Sequence, residues 1–122
     1  MMEIFKEFTF ESAHQLSANV EPGHPYSHIH GHSFLAQIHF CGEPDPTTGW
    51  VHDFGDIETK LEPVRAKLDH RYLNEIEGLS RPTLETLTKW IWDQLEPSLP
   101  MIDRVVVRRG SCGEGCIYRK DA

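Results

Sequence analysis

The chain has 122 residues, 25% charged and 39% hydrophobic, the proportions of one soluble globular domain over residues 1–122. Its formal net charge of −7 speaks against nucleic-acid and anionic-membrane partners, although Arg104, Arg108, Arg109, Arg119 and Lys120 make the C-terminal end locally basic. No apolar run has the length of a signal-peptide core or a membrane span, and three cysteines do not make a secreted disulfide framework, so a cytoplasmic protein with reduced thiols is expected.

Residues 4–11 alternate, with Ile4, Lys6, Phe8 and Phe10 on one face and Phe5, Glu7, Thr9 and Glu11 on the other, which predicts a half-buried strand. Residues 17–29 carry Pro22, Gly23 and Pro25 and read as a loop. A second strand is expected over 32–41, followed by turn-rich residues 42–49. Ile57, Leu61, Val64 and Leu68 recur at helical spacing, so 55–68 reads as an amphipathic helix. Asp53 is placed to cap that helix, and Pro63 predicts a kink or a split in it.

The pattern breaks over Leu68-Asp69-His70-Arg71-Tyr72-Leu73-Asn74. Thr83 then caps a second helix with the stripe Leu84, Leu87, Ile91 and Leu95, stopped by Pro97 and Pro100. Residues 105–109 and 116–119 read as a third and a fourth strand. The order ββααββ makes an α+β fold, a four-stranded antiparallel sheet with two helices on one face. Such a sheet has two open edges that invite pairing with other subunits.

The chemistry concentrates in Ser27-His28-Ile29-His30-Gly31-His32-Ser33. Side chains two apart on an extended chain share a face, so His30 and His32 can aim at one point, with His28 as a further candidate. His14, at the end of the first strand, is the best third ligand. Three histidines with one open coordination position suit catalytic zinc. The same spacing also fits a polar strand edge with solvated histidines. Cys112 and Cys116 form a C-x3-C pair without a second pair to complete a metal site, and Cys41 fits a packing role.

His14, His30-Gly31-His32, Asp53-Phe54, Leu68-Asp69-His70 and Pro82-Thr83-Leu84-Glu85, in this order, resemble the 6-pyruvoyl-tetrahydropterin synthase family. Trp90-Ile91-Trp92-Asp93-Gln94 and the tail Cys112–Arg119 are similar to its bacterial branch, the 6-carboxy-tetrahydropterin synthases of queuosine biosynthesis. The resemblance implies a tunnelling fold, in which three subunits join their sheets into a barrel and two trimers stack into a homohexamer. It implies a zinc-dependent lyase acting on a small reduced pterin, 7,8-dihydroneopterin triphosphate. That substrate loses triphosphate and acetaldehyde and leaves 6-carboxy-tetrahydropterin.

By the same resemblance His14, His30 and His32 bind zinc, Asp69 and His70 form the acid–base pair, and Thr83 and Glu85 hold the pterin ring. An imidazole steadied by a carboxylate suits proton transfer near neutral pH. Thr83 and Glu85 equally suit a helix cap and a first-turn anion.

Two positions depart from the family. Tyr26 stands where the family has a catalytic cysteine, and a free phenol titrates near pH ~10 against ~8.5 for a thiol. His24 and His28 flank the gap as substitute bases. At the end of the third strand the family has a pterin-anchoring glutamate, whereas this chain reads Val107-Arg108-Arg109-Gly110-Ser111. Arginine there suits a phosphate or carboxylate. Beside the family lyase, two other readings are a zinc enzyme cleaving another dihydropterin by a retro-aldol step and a catalytically silent, pterin-binding paralogue.

Overall fold

The structure, a computed structural model, describes residues 1–121. Two long strands, β1 (Met2–His14) and β2 (His30–Gly42), pair antiparallel from Met2 opposite Gly42 to His14 opposite His30. Helix α1 (Phe54–Leu68) follows, then a two-residue strand β3 (Arg71–Tyr72), helix α2 (Leu84–Leu95), β4 (Ile102–Arg109) and β5 (Glu114–Arg119). The spatial order is β3-β1-β2-β4-β5.

The sheet therefore has five strands, not the four expected, and the order is ββαβαββ. The added strand is β3, which runs parallel to the end of β1 through Ser12 opposite Arg71 and Ala13 opposite Tyr72. A two-residue strand leaves no alternation to read. It forms because β1 runs three residues past the end of its expected span and offers a free edge there.

Both helices lie on one face of the sheet. Phe8, Phe10, Phe34, Ala36, Ile38, Val105 and Val107 point inward from alternate strand positions and meet Ile57, Leu61, Val64 and Leu68 of α1 and Leu84, Leu87, Ile91 and Leu95 of α2. Each of these side chains larger than Ala36 contributes roughly 1.5–3 kcal/mol on burial. The expected helical stripes are thus the buried ones.

Asp53 caps α1 by accepting from the Gly55 N–H at 2.9 Å, and the Thr83 hydroxyl caps α2 by accepting from the Thr86 N–H at 3.2 Å. Pro63 does not split α1. It lies on the exposed face, as does Thr59 one turn before it, so the carbonyl left without a donor is at the solvent side.

The edges are unequal. β3 covers only Ser12 and Ala13 of β1, and β5 is paired on one side alone, so both outer edges keep unpaired backbone groups. Among the described residues, no helix is long and apolar enough to cross a membrane.

Candidate metal centre and acid–base pair

Three histidines converge where the inward-facing row of the β1–β2 hairpin ends. His14 lies directly opposite His30, and Ser12 lies opposite His32, so the hairpin register alone sets the rings side by side. The ring centroids of His14 are 4.6 Å from His30 and 5.0 Å from His32, and those of His30 and His32 are 4.9 Å apart. One nitrogen from each ring lies within 4.8 Å of the others. Phe34 floors the group, its centroid 5.6 Å from His32 and 6.2 Å from His14.

The hydrogen bonds decide which nitrogen faces the centre. His14 Nδ1 lies 3.0 Å from the Pro82 carbonyl and His30 Nδ1 lies 2.8 Å from the His28 carbonyl. A carbonyl only accepts, so both Nδ1 atoms carry the proton and both Nε2 lone pairs are left for the centre. His14 Nε2 and His32 Nε2 are buried with no hydrogen-bond partner among the described residues. Burial foremost, and then the neighbouring cationic and imidazole groups, lower the pKa of His14 to about 4 and also lower that of His32. Neutral imidazoles with orphaned, converging lone pairs are what a metal ion requires. The residues fit the implied metal.

His70 directly follows the C-cap of α1. It takes a left-handed backbone, φ 58°, which lets the chain turn from helix into β3. Its N–H donates to the Glu11 carbonyl at 2.6 Å. Its Nδ1 lies 2.9 Å from Asp69 Oδ2, while Asp69 Oδ1 accepts from the Glu11 N–H at 2.9 Å. Arg65 reaches the same carboxylate at 3.3 Å and donates from Nε to the Thr9 carbonyl at 3.0 Å. The Glu11 N–H first, then the His70 ring and the Arg65 guanidinium, hold the Asp69 carboxyl below its usual range. An ionised Asp69 fixes the His70 tautomer and leaves Nε2 outward on a ring that is 80% exposed.

One open cleft of about 600 Å³ is lined by both His32 and His70, together with Ser12, Gly31, Tyr72 and Ser111. One of the three candidate ligands, His32, and the Asp69-paired His70 thus line one space.

The remaining expected site residues are placed differently. Tyr26 is half exposed, with its ring 6.1 Å from that of His30. His24 accepts from the Tyr26 N–H at 3.1 Å through Nδ1 and stacks edge-on against the Tyr26 ring at 4.7 Å. His28 is exposed and does not join the three converging rings; its contribution is its carbonyl. The Thr83 hydroxyl is engaged within α2, and exposed Glu85 lies in a separate groove with Lys89 and Trp90. Neither lines the cleft of His32 and His70.

Sequence reasoning did not find the Pro82 carbonyl or Arg65. No residue type marks a backbone carbonyl. Arg65, four residues before Asp69 at the end of a helix, did carry a readable signal.

The match to known proteins covers nearly the whole chain. The family model described as 6-pyruvoyl tetrahydropterin synthase matches residues 3–121. A 6-carboxy-5,6,7,8-tetrahydropterin synthase from Synechocystis is 41% identical over 79% of this chain and 76% of its own length. A dihydroneopterin monophosphate aldolase from Pyrococcus furiosus is 31% identical over 88% of this chain and 84% of its own. The solved structure of Caenorhabditis elegans 6-pyruvoyl tetrahydropterin synthase superposes with a TM-score of 0.85 at 21% identity, covering 98% of this chain and 96% of that one. With the fold, the motifs, the family model and two relatives matched over most of their length in agreement, the chain belongs to the 6-pyruvoyl tetrahydropterin synthase family.

Proposed function

We propose that the protein is a zinc-dependent lyase acting on a reduced pterin. In its most specific form it converts 7,8-dihydroneopterin triphosphate and one water to 6-carboxy-tetrahydropterin, acetaldehyde and triphosphate. The observation that carries the reading is the set of converging His14, His30 and His32 ring nitrogens, with His14 Nε2 and His32 Nε2 buried and unpartnered, beside a cleft that His70 also lines. The Synechocystis relative supports the choice of product.

In this reading His14, His30 and His32 hold the metal, and the Pro82 and His28 carbonyls lock their tautomers. Bound zinc would act as a Lewis acid toward substrate oxygens and make neighbouring C–H bonds more acidic. Asp69 keeps His70 oriented, and His70 Nε2 moves the proton. Tyr26, beside His30, and His24, hydrogen-bonded to the Tyr26 backbone, are the groups at hand for the second proton transfer.

Thr83 and Glu85 lie outside the cleft of a single chain. They act as pterin-ring contacts if the outer edges of β1 and β5 join neighbouring subunits. We therefore include in the proposal a homohexamer built as two trimeric barrels, measurable by light scattering on the purified protein. The enzyme so assembled works in the cytoplasm.

A second reading has support of its own. Tyr26 supplies no thiol, and a relative 31% identical over most of the chain is a dihydroneopterin monophosphate aldolase. A retro-aldol cleavage of a dihydropterin side chain needs a proton carrier such as His70 and no thiolate.

The test is to incubate zinc-loaded protein with 7,8-dihydroneopterin triphosphate, its monophosphate and the unphosphorylated pterin, and to read products by mass spectrometry. 6-Carboxy-tetrahydropterin supports the first reading, and a hydroxymethyl-pterin the second. No product from any of the three, at one zinc per chain, overturns both in favour of a silent pterin-binding paralogue.

A further inference from the structure

The inward-facing side of the sheet stays polar beyond the three histidines. Ala36 of β2 lies opposite Val107 of β4, and Arg109 is the next inward position along β4. The matching inward positions along β2 are Phe34 and then His32. Arg109 thus extends the Val105–Val107 row toward the metal centre, and Glu114 of β5 lies directly opposite it. Its charge is felt at both His14 and His32, where it adds to the effect of burial.

Arg109 is mostly buried, its side chain 16% exposed, and it contacts Glu114 Oε1 at 2.6 Å. Its Nε is buried and has no acceptor among the described residues. A guanidinium presents five N–H donors in a rigid fork that matches phosphate and carboxylate oxygens. One carboxylate contact leaves most of that fork open. A fixed cation beside three metal-ligating histidines also opposes a divalent ion, by simple Coulomb repulsion. That repulsion is relieved when an anion sits between the two positive groups. Ser111, two residues after Arg109, already lines the cleft from which such an anion would enter.

We infer that Arg109 forms an anion subsite abutting the three-histidine centre, so that the substrate carries a phosphoryl group on its side chain within reach of Arg109. This rests on the pterin reading above, whose first form already has a phosphorylated substrate, and adds the residue that holds the phosphoryl group. Glu114 is the internal counter-ion that holds the guanidinium when no substrate is bound.

The probe is inorganic pyrophosphate titrated by calorimetry into the metal-free protein, with Arg109→Met, Arg109→Lys and Glu114→Gln beside the wild type. Arg109→Met should weaken pyrophosphate roughly tenfold, Arg109→Lys should recover part of the loss, and Glu114→Gln should tighten binding several-fold. Zinc affinity in Arg109→Met should be equal to or higher than in the wild type, because a like charge is removed. With zinc-loaded protein, the KM for phosphorylated dihydroneopterins should rise roughly tenfold in Arg109→Met, while that for unphosphorylated dihydroneopterin stays put.

Pyrophosphate binding that ignores Arg109, or equal KM losses for phosphorylated and unphosphorylated pterins, would overturn the subsite and leave the lyase reading intact. A fall in zinc affinity in Arg109→Met, or weaker pyrophosphate binding in Glu114→Gln, would also overturn it, by making the pair a structural tie between β4 and β5. If pyrophosphate binding depends on Arg109 but the wild type turns over no pterin, the subsite stands and the pterin reading falls.

Discussion

Two polar clusters interrupt this sheet, at opposite ends of the β1–β2 hairpin, and only one of them is built like a metal centre. The first is His14, His30 and His32 on the helix-covered face. The second lies on the open face, where Glu3, Cys41 and Asp103 also bring three ligand atoms within 4.8 Å of one another. At the first end, backbone carbonyls take the outer nitrogens of His14 and His30, and the inner ones are left facing each other.

At the second end the anions already have a cation. Arg104 lies 2.8 Å from Glu3 Oε2, and His39, stacked on Phe5 at 5.2 Å, adds a contact at 3.6 Å. Burial and then the two carboxylates push the Cys41 thiol's pKa up, so it stays protonated. The lesson is that ligand type and proximity do not make a site. What separates the two clusters is whether the donor atoms are already satisfied.

The largest effect should come from removing a ligand at the first end. His30→Ala should lose zinc and all turnover, whereas Cys41→Ser should keep one zinc per chain, both read by elemental analysis. Full zinc retention by His30→Ala would collapse the distinction between the clusters.

Next in size, Asp69→Asn should cut turnover by about 10²–10⁴-fold with zinc content unchanged, because the His70 ring loses the partner that fixes its tautomer. A change confined to KM would remove the acid–base role.

The third effect is on stability. His14 titrates at about 4 in the folded metal-free protein and near the ordinary imidazole value of ~6.5 when unfolded. The unfolded chain therefore binds more protons between these values. The contribution of His14, roughly 3 kcal/mol, is fully present above pH ~6.5 and is lost as the pH falls toward about 4. Thermal melts of metal-free protein across this window should show the decline, and His14→Phe should flatten it.

Smaller still, Arg104→Met should let the second cluster take up a second, weaker zinc, because Glu3 loses its counter-ion. An unchanged stoichiometry would mean that geometry, not charge, excludes metal there. The smallest effect is local: Thr83→Ala should cost about 1 kcal/mol through loss of the α2 cap, read by denaturant midpoint.

Much of this was legible in the chain. Ile57, Leu61, Val64 and Leu68, and likewise Leu84, Leu87, Ile91 and Leu95, follow a 3.6-residue period strong enough to fix both helices and their buried faces. His30 and His32 follow from a period of two and His14 from its place at the end of the first strand, while the register that sets His14 opposite His30 comes from the fold. What stayed hidden depends on contacts between parts distant in sequence. β3 exists only because Ser12 and Ala13 offer an edge. The tautomer of His14 depends on a carbonyl 68 residues away. The Arg109–Glu114 pair appears only once β4 and β5 are set in register.

His70 carries a further consequence through its backbone. A histidine at φ 58° occupies a conformation that glycine or asparagine adopts at lower cost. Directed evolution of this protein toward heat resistance alone should therefore enrich Gly or Asn at position 70, and the winners would be sturdier and inert. On the role proposed for His70, selection for durability and selection for chemistry pull in opposite directions at that one residue, so a thermostabilised version should hold position 70 constant and find its gains elsewhere.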